Sequence, residues 1–594
     1  MKSKTTGIWF VLAASLFAFI WLYQKYLQPA PAVIENLLPG LHAADLTRIQ
    51  VNPAGQREIC VVRAKGGWQM QKPLAYPALS AAVEALATTL EKLTPATRLT
   101  AAELGAKQNA ETEFGFDNPQ FTLLLENGGQ RRQLLVGSRT APGDQVFLRV
   151  VGTDGAFVTD AAWLALVPHH GTNWRDTALV EASGACDWIV VTNGPKVMEF
   201  RRDATNQLWR MTRPLQARAD ATRIAAALQQ LRNGRVAQFV TDDPRADLSG
   251  YALQPAELAV WLGRGTNLFS GVSAGKTSPD KPAQIFARRE GWNAVVATAK
   301  DTFAPWRAAV NDWRDPRLLT LTAPVAEIEV RGEQPYTLQQ SSSNTWAVAG
   351  ETFAADIESI QNFLKLLAGL RVSEYVKDVV TPADLQGFGL TTPARQITLR
   401  SQTGGTNGVL ARLLFGNMDT NRVFVKRGDE DFVYALKIED LARLPEHGWE
   451  FRDRRLWHFS ETNITQVTLR QNGKTRVLVR TGTDKWSLGP NSQGIINPPA
   501  IEETFHRLGE LTAAGWVGRH IAAPEKYGLN PDNLAVTIEL ASGEKLGLEF
   551  GAELGQGQTA LAATTLDGER WVFVFPPPLY QFVTAYLTIP PNTP

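Results

Sequence analysis

The residues whose types and spacing come nearest to chemistry are Gly271-Val272-Ser273-Ala274-Gly275, which match the G-x-S-x-G pattern of a nucleophile elbow. That pattern lifts a serine onto a tight strand-to-helix turn. In this chain Gly271 reads as the counterpart of Gly137, Gly416 and Gly551, each closing an apolar strand, so the glycine is a turn former and Ser273 has no equivalent. The same stretch continues into Lys276-Thr277, a near miss to the phosphate-binding G-x-x-x-x-G-K-[ST], with Ser270 where the first glycine belongs. A phosphate loop must open a helix whose N-terminus faces the phosphates, and Ser278-Pro279-Asp280-Lys281-Pro282 is poorly suited to begin one. Residues 271–283 are therefore expected to form a flexible hairpin loop.

The other titratable residues do not converge in sequence. His169-His170, His447 and His458 show no metal-binding spacing, and the two cysteines, Cys60 and Cys186, supply neither a ligand cluster nor a disulfide framework. Their pairing with each other is left open, because distance in the fold is not written in the sequence. The neighbouring carboxylates Glu430-Asp431 and Glu502-Glu503 read as solvated faces rather than acid/base pairs. Lys plus Arg (60) almost cancels Asp plus Glu (59), which argues against a nucleic-acid partner. No catalytic, cofactor-binding or metal-ligating residue is assigned, and no cofactor is expected.

The elements around these residues recur. Phe114-Gly115-Phe116-Asp117-Asn118-Pro119 returns as Tyr251-Ala252-Leu253-Gln254-Pro255, as Phe388-Gly389-Leu390-Thr391-Thr392-Pro393 and as Tyr527-Gly528-Leu529-Asn530-Pro531. An aromatic, a tiny residue, an apolar residue and a proline, followed by alternating apolar positions, predict a buried turn feeding a strand. Trp68, Trp209, Trp346 and Trp486 recur at intervals of roughly 140 residues, each followed by one amphipathic run such as Ile357, Ile360, Leu364 and Leu367. Each tryptophan is expected to pack beneath that helix. Trp174-Arg175-Asp176, Trp313-Arg314-Asp315 and Phe451-Arg452-Asp453 mark the joints, with the Arg-Asp pair bonding loop backbone or the next repeat. A chain of 594 residues is too long for one core and accommodates about four domains.

The expected fold class is thus α+β, with four tandem repeats at 45–180, 181–322, 323–460 and 461–594, each a mainly antiparallel sheet with one covering helix. A linker at 29–44 precedes them. At 1–28, Lys2 and Lys4 come before an uncharged run from Thr5 to Gln24 flanked by Trp9, Trp21, Tyr23 and Tyr26. That run has about the 20-residue length of a membrane span and predicts a single transmembrane signal-anchor with the bulk of the chain exported. Its only A-x-A site, Ala30-Pro31-Ala32, has proline at its centre, which favours an anchor over a cleaved signal.

Through this span, the W-x-apolar strands, the [FY]-[GA]-[LF]-x-x-P turns and the glycine-ended strands, the chain resembles the DUF4340 family over residues 1–590. Ala252 in place of glycine departs from the pattern and bears on the conformation of that turn. The resemblance implies a single-pass protein of the bacterial inner membrane, often encoded beside ABC-2-type transporter components, with no catalytic residues to carry over. The expected function is a non-enzymatic extracytoplasmic accessory subunit of an ABC-2-type transporter, with its permease, ATPase and auxiliary membrane proteins as partners. An envelope glycan or surface-ligand binding module and an envelope hydrolase are the alternatives.

Overall fold

A computed structural model describes residues 3–22, 36–181, 185–321, 323–342, 345–402 and 408–589. These residues form four antiparallel sheets of nine, nine, eight and eight strands. The first sheet shows the plan. Strands β1 (Leu46–Pro53), β2 (Ile59–Ala64), β3 (Gly67–Lys72) and β4 (Tyr76–Pro77) run as one meander. After a helix at Ser80–Glu91 comes β5 (Thr97–Leu99), and then a second meander, β6 (Phe121–Asn127), β7 (Gln130–Arg139), β8 (Gln145–Val150) and β9 (Ala156–Asp160). The two meanders join where β1 pairs with β6, and β5 closes the edge beside β9, giving the order β4-β3-β2-β1-β6-β7-β8-β9-β5. The other three sheets follow the same order, the last two without a counterpart of β4.

The helix of each repeat forms because its apolar residues fall at three- and four-residue steps. On Ser80–Glu91 these are Val83, Leu86 and Leu90, buried against Ile49, Val51 and Leu123 of the sheet. Burying each such side chain contributes about 1.5 to 3 kcal/mol. The opposite sheet face carries a smaller core built by the recurrent turn: Phe114 and Phe116 pack with Ala110, Leu135 and Phe147. Corresponding clusters gather Leu390 with Phe388 and Phe424, and Leu529 with Tyr527 and Val572. Both faces of these three sheets are therefore covered, one by the helix and one by the turn. Further short helices lie at Ala101–Gly105, Ala110–Glu113 and Pro382–Gly387, and Pro577–Tyr586 packs Val583 into the fourth core.

Contacts divide the chain into two compact units, one of residues 1–199 and 225–308, the other of residues 200–224 and 309–594. A helix occupies Ser3–Leu22, and its described side chains, Trp9 to Leu22, are all exposed. Among the described residues no helix is long and apolar enough to cross a membrane. Tyr23, Tyr26 and residues 29–35 of the expected linker lie outside the described residues, while the rest of that segment packs Leu37, Leu38 and Leu41 into the first core.

Two sequence expectations are corrected here. Residues 271–277 are no flexible loop: they belong to a strand, Asn267–Thr277, paired to Leu258–Arg264 on one side and Gln284–Arg289 on the other. Nor is Gly271 the counterpart of Gly137, Gly416 and Gly551. That place belongs to Gly275, and none of the four is a turn former. A Cβ on Gly137, Gly275, Gly416 or Gly551 would stand 2.0, 2.0, 2.1 or 2.4 Å from the carbonyl oxygen of Phe114, Tyr251, Phe388 or Tyr527. Each glycine lies inside its strand so that the turn's backbone can rest on the sheet. Gly271 is small for another reason, since a Cβ there would meet the Trp261 ring at 2.5 Å.

Candidate functional site

The joints between repeats bring together more charged and aromatic side chains than any motif that looked catalytic. In each, the aromatic residue is buried in its own repeat and its carbonyl receives the amide that opens that repeat's helix: Leu79 from Trp174 at 2.7 Å, Asp220 from Trp313 at 2.8 Å, Asp356 from Phe451 at 2.7 Å. The aspartate closes a local turn by accepting the amide two residues on, Ala178, Arg317 and Arg455 for Asp176, Asp315 and Asp453. The arginine reaches into the following sheet. Arg175 lies 3.5 Å over Phe239 and forks onto Asp242 at 2.7 and 3.0 Å. Arg314 lies 4.1 Å over Tyr375 and 4.6 Å over Phe432 and donates to Asp378 at 2.5 Å. Arg452 lies 4.6 Å over Trp571 and donates to Asp567 at 2.7 Å. Each set lies inside one of the two compact units.

A planar guanidinium suits this place because it stacks on a ring and bonds a carboxylate in its own plane at once. Around the second joint the network extends. Arg218 donates to Asp315 at 3.3 Å and to Glu430 at 2.7 Å, and Tyr434 donates to the other Glu430 oxygen at 2.7 Å. Burial and the Glu430 carboxylate push the Tyr434 hydroxyl well above its ordinary pKa, and burial pushes Tyr375 up to about 12. Glu430 is therefore a buried ion-pair partner, which corrects its reading as a solvated face; Asp431 beside it is exposed. Glu502 is corrected likewise: it accepts from Trp486 Nε1 at 3.0 Å and pairs with Arg480 at 2.7 Å. Glu84 binds Trp68 Nε1 at 2.7 Å and Arg63 at 2.8 Å, so two tryptophans are tied to their covering helix by a carboxylate. Trp346 differs, being only half-buried against its core.

The remaining candidates stay apart. Ser273 Oγ donates to Glu290 from mid-strand, and among the described residues no histidine is hydrogen-bonded to it. His458 is exposed and pairs with Glu510, His169 stacks against Phe121, and His447 against Trp449. Cys60 and Cys186 are free and buried, and burial raises both thiols above the ordinary range. Among the described residues no group of three or more His, Cys, Asp or Glu is placed to hold a metal ion.

These features define a repeat protein built from four copies of one sheet-and-helix module. The chain belongs to the DUF4340 family, described as a domain of unknown function, whose model matches residues 68–202, 209–383 and 346–532. The three matches open at Trp68, Trp209 and Trp346, and each runs across a joint. No curated protein matches the chain.

Proposed function

We propose that the chain is a non-enzymatic accessory protein of an ABC-2-type transporter, anchored in the bacterial inner membrane with its four repeats on the extracytoplasmic side. The observation that carries this reading is the helix Ser3–Leu22, on which Phe10 is 77%, Phe17 72%, Leu16 61% and Ile20 46% exposed. A helix that is apolar on every side is stable inside a core or a bilayer, not in water. The sequence run from Thr5 to Gln24 has about the 20 residues that a 30 Å hydrocarbon layer requires. The choice of a transporter as partner rests on the family resemblance. Arg-Asp joints fasten neighbouring elements within each compact unit, and a tether raises the effective concentration of the repeats near their partner to around millimolar.

The test is to replace residues 1–28 by a cleavable signal peptide. The exported repeats should remain folded, while co-purification with the transporter and any transport phenotype are lost. Full complementation by the released form would refute the proposal and favour a free binding module.

A further inference from the structure

The four repeats serve as internal controls for one another, and one position in the third breaks the rule the others keep. The first core-facing residue of the strand after the recurrent turn is Phe121 in the first repeat, Leu258 in the second and Leu534 in the fourth. They are 3, 0 and 7% exposed. The third repeat has Arg395 there, opposite Phe415 and on the same strand face as the buried Ile397 and Leu399. A guanidinium at an apolar core position is costly unless it is paired. Arg395 Nη2 donates to Tyr336 Oη at 3.3 Å and to the Pro445 carbonyl, and no carboxylate among the described residues pairs with it. Those two acceptors fix the plane of the fork, and among the described residues Nε and Nη1 have no protein acceptor.

Arg395 lines a cavity of about 390 Å³. Its walls are apolar at Val330, Phe415, Ile438 and Leu441, with Met418, 58% exposed, at the lip, and polar at Gln334 and at Arg331, whose guanidinium is paired with Glu329. Glu333 and Glu446 stand exposed at the rim. Small-molecule sites are typically apolar clefts of about 300 to 1,000 Å³ with a few fixed polar groups, and this one lies at the small end. A charged residue that takes an apolar position beside a cavity, with donors left over after its two protein contacts, is a candidate functional position.

We propose that this cavity binds a medium-chain alkyl carboxylate, its head group on the free edge of the Arg395 fork and its chain along Phe415, Ile438 and Leu441. The two rim carboxylates favour a single negative charge over a polyanion. Binding is reversible and no bond is made or broken.

The test uses the full chain in lipid nanodiscs and a diazirine-bearing dodecanoate. Photolabelling is expected on the segments 409–419 and 438–446, and unlabelled dodecanoate should compete about tenfold or more better than dodecanol, as a charge-assisted hydrogen bond implies. Equal competition by the acid and the alcohol on the unmodified protein would overturn the proposal. Arg395→Leu installs the residue that the second and fourth repeats carry. It should abolish the acid's advantage while hydrogen-exchange protection of the strand Arg395–Arg400 is kept or raised, because leucine fills the equivalent core-facing place in the second and fourth repeats. Undiminished labelling by the acid in that variant, or lowered protection along that strand, would count against a ligand-binding role.

Discussion

Replacing Arg314 by alanine tests the second joint at its buried guanidinium. The Arg314 side chain is 2% exposed and lies over two rings, Tyr375 and Phe432, while Asp378 remains 43% exposed. Two desolvated cation–π contacts contribute about 0.5 to 2 kcal/mol each, and the charge-assisted bond about 1.5 to 3. Against this, Nη2 is buried without a hydrogen-bond partner, and Asp378, once freed, is resolvated. The net loss should be about 2 to 4 kcal/mol, local to the joint. A chain of several cooperative units does not unfold in one step, so a global denaturation curve is the wrong assay. Native-state hydrogen exchange reads the joint directly, at the Val372 amide, bonded to the Pro316 carbonyl at 2.7 Å, and along the strand Glu374–Lys377. Protection there should fall by about thirtyfold or more, with strands of the first sheet unaffected. Arg314→Lys should restore little, because an ammonium cannot stack and fork together. A change in protection below about threefold would refute the view that this arginine fastens the repeats.

Four other outcomes follow from named contacts. Trp486→Ala should cost about 3 to 5 kcal/mol, and Trp346→Ala, half-buried and exposed on one side, only about 1 to 2, read by hydrogen exchange in the helices Pro498–Gly509 and Ile357–Gly369; equal losses would contradict the burial difference. Ala252 holds φ of +55°, where Gly115, Gly389 and Gly528 hold +73°, +69° and +66°. Ala252→Gly should therefore stabilise the second repeat by about 1 kcal/mol, while Gly389→Ala, whose Cβ would meet Asn417 at 2.2 Å, destabilises the third; the opposite signs would show that the turns are not equivalent. Ser273→Ala should remove only a structural bond to Glu290, so serine-directed probes should label neither form, and labelling lost in the variant would reinstate a nucleophile. Asp384 accepts from Lys377 and from the side chain and amide of Thr381, which lower its pKa to about 2. A depressed carboxylate contributes stability above its unfolded value and loses it as pH falls, so the cap of Pro382–Gly387 should weaken between about pH 4 and pH 2, and an Asp384 titration midpoint near 3.8 by NMR would contradict this.

Much of the architecture was legible because it is written several times over. Four turns, four tryptophans and four amphipathic runs fix the repeat, and alternation marks the strands. The joint motif was legible for the same reason, and its arginine and aspartate do bond the next sheet and the local backbone. What alternation leaves open is register. Gly271 and Gly275 are four residues apart on one strand, and only the pairing of Leu258 with Ala274 shows which of them underlies the turn. Polar pairs hide in a similar way: Glu430 lies beside the exposed Asp431 in sequence, yet its partner Arg218 is far away along the chain. Arg395 is invisible for this reason too. Pro393-Ala394-Arg395 reads as an ordinary strand entry until its register places it on the core face. Trp346 shows the limit of repetition, since a shared position does not guarantee shared burial.

The measurement that bears most directly on the proposed role is crosslinking mass spectrometry on native membranes that contain the full chain at its natural abundance. The account predicts that the chain sediments with the inner membrane and crosslinks through its repeats to an integral permease whose ATPase is isolated with it. Recovery in a soluble fraction, or crosslinks confined to proteins outside any transporter, would contradict it.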